Sequence, residues 1–237
     1  VVRGIDVAFG GFQALRDVSI DAGRQEVVGI IGPNGAGKTT LLNVITGLVP
    51  VDAGTVELGG VDLTGKQSFQ IARHGLVRTF QNLRLFGALT VWENVEVSAL
   101  VAQTTRDQPP LDVDALVAAA GLWEVRDRRA RELDYGTSRR LELARAAAMS
   151  PTFLLLDEPT SGMSDTESMS MIEQVRSMAG VIGAGVVVID HDLNFITGIC
   201  DRIYCLDCGQ VIAEGSPAEI QANPVVQAAY MGSSAQQ

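Results

Sequence analysis

The 237-residue chain predicts an α/β protein with three parts: buried parallel strands around a phosphate-binding loop, a small antiparallel β platform, and a helical lobe inserted into the core. Three observations carry this expectation. The run Gly32-Pro33-Asn34-Gly35-Ala36-Gly37-Lys38-Thr39-Thr40 fits the pattern Gly-x-x-x-x-Gly-Lys-[Ser/Thr], after an apolar strand over 26–31 and before a helical stretch over 41–45. Two further apolar runs, 153–156 and 185–189, stop abruptly on acidic residues, as buried strands do at the edge of a crevice. From Asn82 to about Arg131 the patterning changes to short helices.

In chain order, Ile5, Val7 and Phe9 alternate with Asp6 and Ala8, and Val18-Ser19-Ile20-Asp21 alternates again after Gly10-Gly11, giving two strands with one wet face each. Phe9 reads as core from its residue type, with stacking on a purine base beside the loop as the alternative. The glycines at 32, 35 and 37 let backbone N–H groups curl round a polyphosphate, and a helix starting near Gly37 aims its positive dipole end at the same anion. Lys38 supplies a point charge for the β and γ phosphates, and the Thr39 hydroxyl can ligate magnesium.

Residues 55–58 with Gly59-Gly60 predict a strand and turn, Phe69-Gln70-Ile71-Ala72 a helix, and 77–81 a strand ending on Gln81, where a magnesium or water contact would sit. Thr104 to Pro110 is polar, carries Pro109-Pro110, and reads as a loop. Leu133-Asp134-Tyr135-Gly136-Thr137 precedes an alanine-rich helix over 139–149, whose start is a second candidate anion site.

Asp157 and Glu158 close the apolar run 153–156, and two carboxylates there are costly unless a cation or substrate uses them. Successive side chains diverge at a strand end, so one can hold magnesium while the other reaches elsewhere. Met169, Ile172 and Val175, three apart on a helix beginning near Asp165, read as core, and His191 at the end of run 185–189 points to the same crevice as Asp157. Residues 203–206 and 210–213 predict a last hairpin, and Ser216-Pro217-Ala218-Glu219 a capping box with proline at the first helical position. Cys205-x-x-Cys208 lies in that hairpin, without the four ligands of a zinc site or the helix start of a thioredoxin-type motif, and reads as structural.

Composition bounds the function. With 28 acidic against 18 basic residues, the net charge of −10 argues against a broad nucleic-acid footprint, so a bound polyanion must be gripped locally. No apolar run approaches the ~18 residues of a membrane helix. Three cysteines and no signal-peptide pattern point to a reducing cytoplasm, while Val1 in place of methionine leaves open a processed product or one domain of a longer polypeptide.

Taken together, these motifs resemble the nucleotide-binding subunit of an ABC transporter over essentially the whole chain. Phe9 resembles the aromatic that stacks on adenine, which overrides its reading as core; residues 32–39 resemble the Walker A loop, Gln81 the Q-loop glutamine and 133–137 the signature. Residues 154–158 resemble the Walker B strand with its catalytic glutamate, 161–164 the D-loop, and His191 the switch histidine. Arg78-Thr79-Phe80-Gln81-Asn82, Tyr135-Gly136 and the ending 217–232 are similar to the ATPases of branched-chain, or hydrophobic, amino acid importers, with those of lipopolysaccharide export the alternative among transporters. A soluble ABC protein of DNA repair or translation would carry a second cassette, a coiled coil or a basic arm, and a small-molecule kinase would lack Glu158-Pro159.

The resemblance implies a P-loop NTPase core with a mixed sheet over 1–81 and 150–237, an antiparallel β platform, and an inserted α-helical subdomain over 82–149, all in one ABC ATPase domain. It implies ATP and Mg2+ as ligands, with Thr39, Gln81 and Asp157 on the metal and Lys38, Gln81, Glu158 and His191 in catalysis. Its implied partners are a second ABC ATPase subunit, identical or paralogous, whose Asp134, Tyr135, Gly136 and Thr137 close on the bound ATP, then membrane permease subunits and an extracytoplasmic solute-binding protein. The implied location is the cytoplasmic face of the membrane. Two departures stand out: Asp134 and Thr137 replace the family's serine and glutamine or glutamate, and Ser164 stands where aspartate or asparagine is common. A carboxylate at 134 would repel the γ-phosphate that the serine contacts.

Overall fold

Alternation builds the first layer. Strands β1 (Val2–Phe9) and β2 (Phe12–Ile20) pair antiparallel across Gly10-Gly11, burying Ile5, Val7, Leu15 and Val18 on one face. After β3 (Val27–Ile31) leaves for a second sheet, β4 (Ala53–Leu58) and β5 (Val61–Asp62) complete a four-stranded antiparallel platform in the order β2-β1-β4-β5. The computed structural model describes residues 1–80, 83–106 and 111–233.

The second sheet adds β6 (Leu76–Arg78), β7 (Phe153–Asp157), β8 (Gly185–Ile189), β9 (Arg202–Asp207) and β10 (Gln210–Gly215), in the order β10-β9-β3-β8-β7-β6. All neighbours are parallel except β10 on β9, so the sheet is mixed. The period of two along each strand sorts its side chains into two cores. Val28, Ile30, Leu155, Val187, Ile189, Tyr204 and Leu206 face the platform with helices α1 (Lys38–Ile45) and α2 (Ser68–Arg73). Val27, Ile31, Leu154, Leu156, Val186, Val188 and Ile203 face the other side, and strands buried on both faces read as unbroken apolar runs.

That other side is covered by α3 (Val91–Arg106), α4 (Val113–Ala119), α5 (Tyr135–Ala148), α6 (Asp165–Ile182) and α7 (Leu193–Ile199), through Val95, Leu116, Leu141, Val175 and Phe195. Two short helices, α8 (Pro217–Ala222) and α9 (Pro224–Ser233), finish the chain against the same core through Ile220 and Val226. The capping box at Ser216 and Glu219 is present, as the sequence predicts. None of the described helices is long and apolar enough to cross a membrane.

Four local expectations are corrected. Strand β6 stops at Arg78 because a side chain takes over from the ladder: the Thr79 hydroxyl accepts the Asp157 N–H at 3.4 Å. Gln81 itself lies outside the described residues. Residues 104–106 are helical rather than looped, and the Thr104 and Thr105 hydroxyls, instead of breaking the helix, donate back to Leu100 and Val101 carbonyls within it; residues 107–110 lie outside the described set. Helix α5 begins at Tyr135, not 139, because Asp134 caps it. Met169 is 55% exposed while Met171, Val175 and Met178 are buried, since at about 3.6 residues per turn a strict spacing of three drifts off the core face.

Candidate functional site

The phosphate loop is shaped by glycine at two crowded points. Gly32 has φ 148°, and a Cβ there would collide with the Leu206 carbonyl oxygen; Gly37 has φ 103°, and a Cβ would lie 2.8 Å from the Ala14 oxygen. Gly37 is the N-cap of α1 and offers no side-chain hydrogen bond, so the first-turn N–H groups are left for an external acceptor. Lys38 folds back over the loop, its Nζ donating to the Gly32 carbonyl at 2.6 Å and the Pro33 carbonyl at 3.0 Å. Burial pushes its ammonium pKa down, and the Glu158 charge pulls against that shift. Above the loop is a cleft of about 340 Å³ lined by Phe9, Phe12, residues 34–40 and Glu158. Phe9 is 50% exposed at its mouth, contrary to the reading of this ring as core.

The two acids at the tip of β7 diverge. Glu158 has φ 49°, a conformation that costs a non-glycine residue on the order of 1–3 kcal/mol, and its N–H donates to the Ile189 carbonyl at 2.8 Å. This turn brings Glu158 into the phosphate cleft. Asp157 turns to Arg78, whose Nη2 lies 2.7 Å from Oδ2 with both side chains largely buried. Arg78 Nη1 also donates to Asn43 Oδ1 at 2.8 Å on α1, so the guanidinium ties the acidic tip to the helix behind the loop. A lone carboxylate at this depth would be costly, and Arg78 supplies its counter-charge. His191 is not among the residues lining the cleft: its ring is 69% exposed and its Nδ1 stands 3.6 Å from Asp190 Oδ1. Buried Asp190 is the organiser of that turn, accepting the Thr160 N–H and hydroxyl and the N–H groups of His191 and Asp192.

Asp134, Gly136 and Thr137 line a separate pocket of about 220 Å³ with Arg140 and Glu167. Asp134 accepts the Thr137 N–H at 2.8 Å and the Thr137 hydroxyl at 2.9 Å, and these bonds hold its carboxyl below the usual aspartate range. Tyr135 donates its hydroxyl to the Ser161 carbonyl, and Ser164 closes a capping box with Glu167 at the start of α6. Within this one chain the pocket shares no lining residue with the phosphate cleft.

Comparison with known proteins decides the family. The pattern of the ABC transporter family matches residues 15–161. The chain belongs to that family. A second family, described as branched-chain amino acid ATP-binding cassette transporter, matches residues 210–236. The chain is 39% identical over 250 residues to the high-affinity branched-chain amino acid transport ATP-binding protein LivG of Salmonella typhimurium, covering 98% of this chain and 96% of that protein. It is 35% identical over 246 residues to the corresponding protein BraF of Pseudomonas aeruginosa, with the same two coverages. Among solved structures, the ADP conformation of MJ1267, an ATP-binding cassette of an ABC transporter, superposes with a TM-score of 0.84 at 31% identity, covering 98% of this chain and 97% of that one. This ABC protein is therefore a nucleotide-binding, ATP-hydrolysing transporter subunit.

For a magnesium ion, the ABC chain offers a hydroxyl at Thr39 and a carboxylate at Asp157, hard oxygen donors of the right kind. Among the described residues no three His, Cys, Asp or Glu side chains gather as a metal site. Sequence reasoning missed Phe12 and Ala14 in the cleft lining, the clamp of Arg78 on Asp157, and the hydrogen bond from the Gly32 N–H to the Tyr230 hydroxyl. Phe12 sits three residues after Phe9 across a two-glycine turn, a signal that was readable; the other two contacts span 79 and 198 residues and left no local trace.

Proposed function

We propose that this chain powers the import of branched-chain or other hydrophobic amino acids, hydrolysing ATP in the cleft above residues 32–40 at the cytoplasmic face of a membrane. The observation that carries the hydrolytic assignment is that Glu158 turns into the same cleft as the phosphate loop and Phe9. The solute class is supported by the full-length likeness to LivG and BraF and by the match over residues 210–236.

In this reading Phe9 stacks on the base, and the N–H groups of 34–40 and the Lys38 ammonium hold the phosphates once Lys38 leaves the Gly32 and Pro33 carbonyls. Thr39 and Asp157 would hold a magnesium ion, with Gln81 as a further ligand; the ion would neutralise phosphate charge. Glu158 accepts the hydrogen bond, and then the proton, of the water that attacks the γ-phosphorus, so that ATP and water give ADP and phosphate. His191, which stands outside the cleft in the single chain, would contact the γ-phosphate together with Gln81 once the pair closes. Since 134–137 stand apart from the cleft in one chain, the lid comes from a second copy or a paralogue, and the pair drives permease subunits fed by a solute-binding protein. Residues 82–149 form the helical subdomain of this single domain.

The test is Glu158→Gln. Nucleotide affinity should stay within about twofold while turnover falls by about 10²–10⁴ and leucine uptake by cells carrying the complete transporter is lost. Normal turnover in that variant removes Glu158 from the reaction, and wild-type uptake of every hydrophobic amino acid in cells lacking the chain removes the solute assignment.

A further inference from the structure

The first glycine of the phosphate loop is held from behind by the last helix of the chain. The Gly32 N–H donates to the Tyr230 hydroxyl at 2.9 Å, and the Gly32 carbonyl, on the other side of the same Cα, accepts from Lys38 Nζ. Gly32 is buried and only glycine fits there, because the Leu206 carbonyl and the Ala36 methyl close the space where a side chain would stand. The tyrosine bond sits on the peptide plane before its Cα and the lysine bond on the plane after it, so a turn of either plane moves one of the two bonds. The tyrosine bond is near the ideal length, and a part-buried backbone N–H is left under-satisfied when its acceptor is removed.

Tyr230 reaches this point from α9, where it shares a face with Val226, four residues earlier, and both pack on the core. Between α9 and the sheet lies an apolar pocket of about 300 Å³ lined by Ile31, Ile196, Ile203, Ile220, Val226 and Tyr230. The groove is open to solvent, with Leu193 and Met231 exposed at its rim, so the hydroxyl contact adds to the packing of Val226 and Tyr230 in placing this end of α9. Burial pushes the Tyr230 phenol pKa up.

We propose that Tyr230 is a positioning residue for the phosphate loop: its hydroxyl sets the orientation of the Gly32 peptide and so tunes how readily Lys38 transfers from the loop carbonyls to a nucleotide's phosphates. This deepens the ATPase reading and rests on it. It also gives the C-terminal helix a direct line to the nucleotide, 198 residues away in sequence.

The experiment is Tyr230→Phe in the full chain, which keeps the ring and removes one oxygen, with Lys38→Ala as the companion variant. Affinity for a fluorescent ATP analogue should weaken about three- to tenfold in Tyr230→Phe, with KM for ATP rising in parallel and kcat nearly unchanged. The Gly32 amide of 15N-labelled protein should exchange its hydrogen faster, and the thermal midpoint without nucleotide should stay within a few degrees of wild type. If Tyr230→Phe binds the analogue like wild type while Lys38→Ala loses it, the positioning role is wrong and the phosphate site stands. If both bind like wild type, the phosphate site itself is wrong. A Tyr230→Phe variant whose midpoint falls while the folded fraction keeps wild-type affinity would show a structural hydroxyl and overturn the proposal.

Discussion

Helices α1 and α5 both start beside a glycine, yet they are finished differently. Gly37 caps α1 with no side-chain acceptor, whereas Asp134 caps α5 by taking the N–H and hydroxyl of Thr137. The first end is left for an anion from outside, and Lys38 beside it adds a mobile positive charge that presently rests on carbonyls. The second end supplies its own anion. The same backbone dipole can thus serve as a binding site or as a self-satisfied cap, and one side chain at the N-cap position decides which. In the proposed pairing, phosphates reaching α5 would meet the Asp134 carboxylate, with Arg140 beside it donating to Thr137 Oγ1 at 2.9 Å.

The contrast can be broken hardest at the open end. Lys38→Ala should lower ATPase activity by about 10²–10³, measured as phosphate release, because it removes the charge directed at the transferring phosphoryl group. Gly37→Ala should raise the Kd for ATP about tenfold and lower the thermal midpoint, since the new methyl meets the Ala14 oxygen at 2.8 Å and φ 103° costs a non-glycine residue about 1–3 kcal/mol. At the closed end, Asp134→Ser should keep the cap, remove the charge and raise ATPase activity about three- to tenfold at protein concentrations that favour pairing; unchanged or lower activity would mean that the carboxylate is accommodated across the interface.

Two smaller effects sharpen the difference. Asp134→Ala should cost about 1 kcal/mol of stability in denaturant unfolding, with serine restoring most of it. The pH dependence follows from the direction of the Asp134 shift: its folded pKa lies below the unfolded value near ~3.9, so its contribution is complete above that value and is lost as pH falls through the folded pKa. The stability gap between wild type and Asp134→Ser should be constant near neutral pH and change only in acid, below roughly pH 4.

How much was readable in advance follows from distance along the chain. The strand, loop and helix of residues 26–45 are contiguous, so spacing alone identified them, as did the abrupt acidic end of β7 and the capping box of α8. The end of β6, the start of α5 and the exposed face of Met169 were misread because each depends on a neighbour or on fractional helical phase that a short pattern does not register. Asp134 illustrates the point within five residues: it was read as a departure from the signature, whereas its bonds to Thr137 also make it the residue that starts the helix.

From the sequence alone came the α/β class, the phosphate loop and the adjacent acids, because strand and helix periodicities and glycine spacing are local consequences of backbone geometry. Tertiary structure alone decided that Glu158 turns into the cleft while Asp157 pairs with Arg78, that residues 134–137 stand apart from it, and that Tyr230 reaches Gly32. Those outcomes depend on which strands become neighbours and how deeply each charge is buried. Burial and neighbourhood are properties of the packed chain, set by two cores on opposite faces of one sheet.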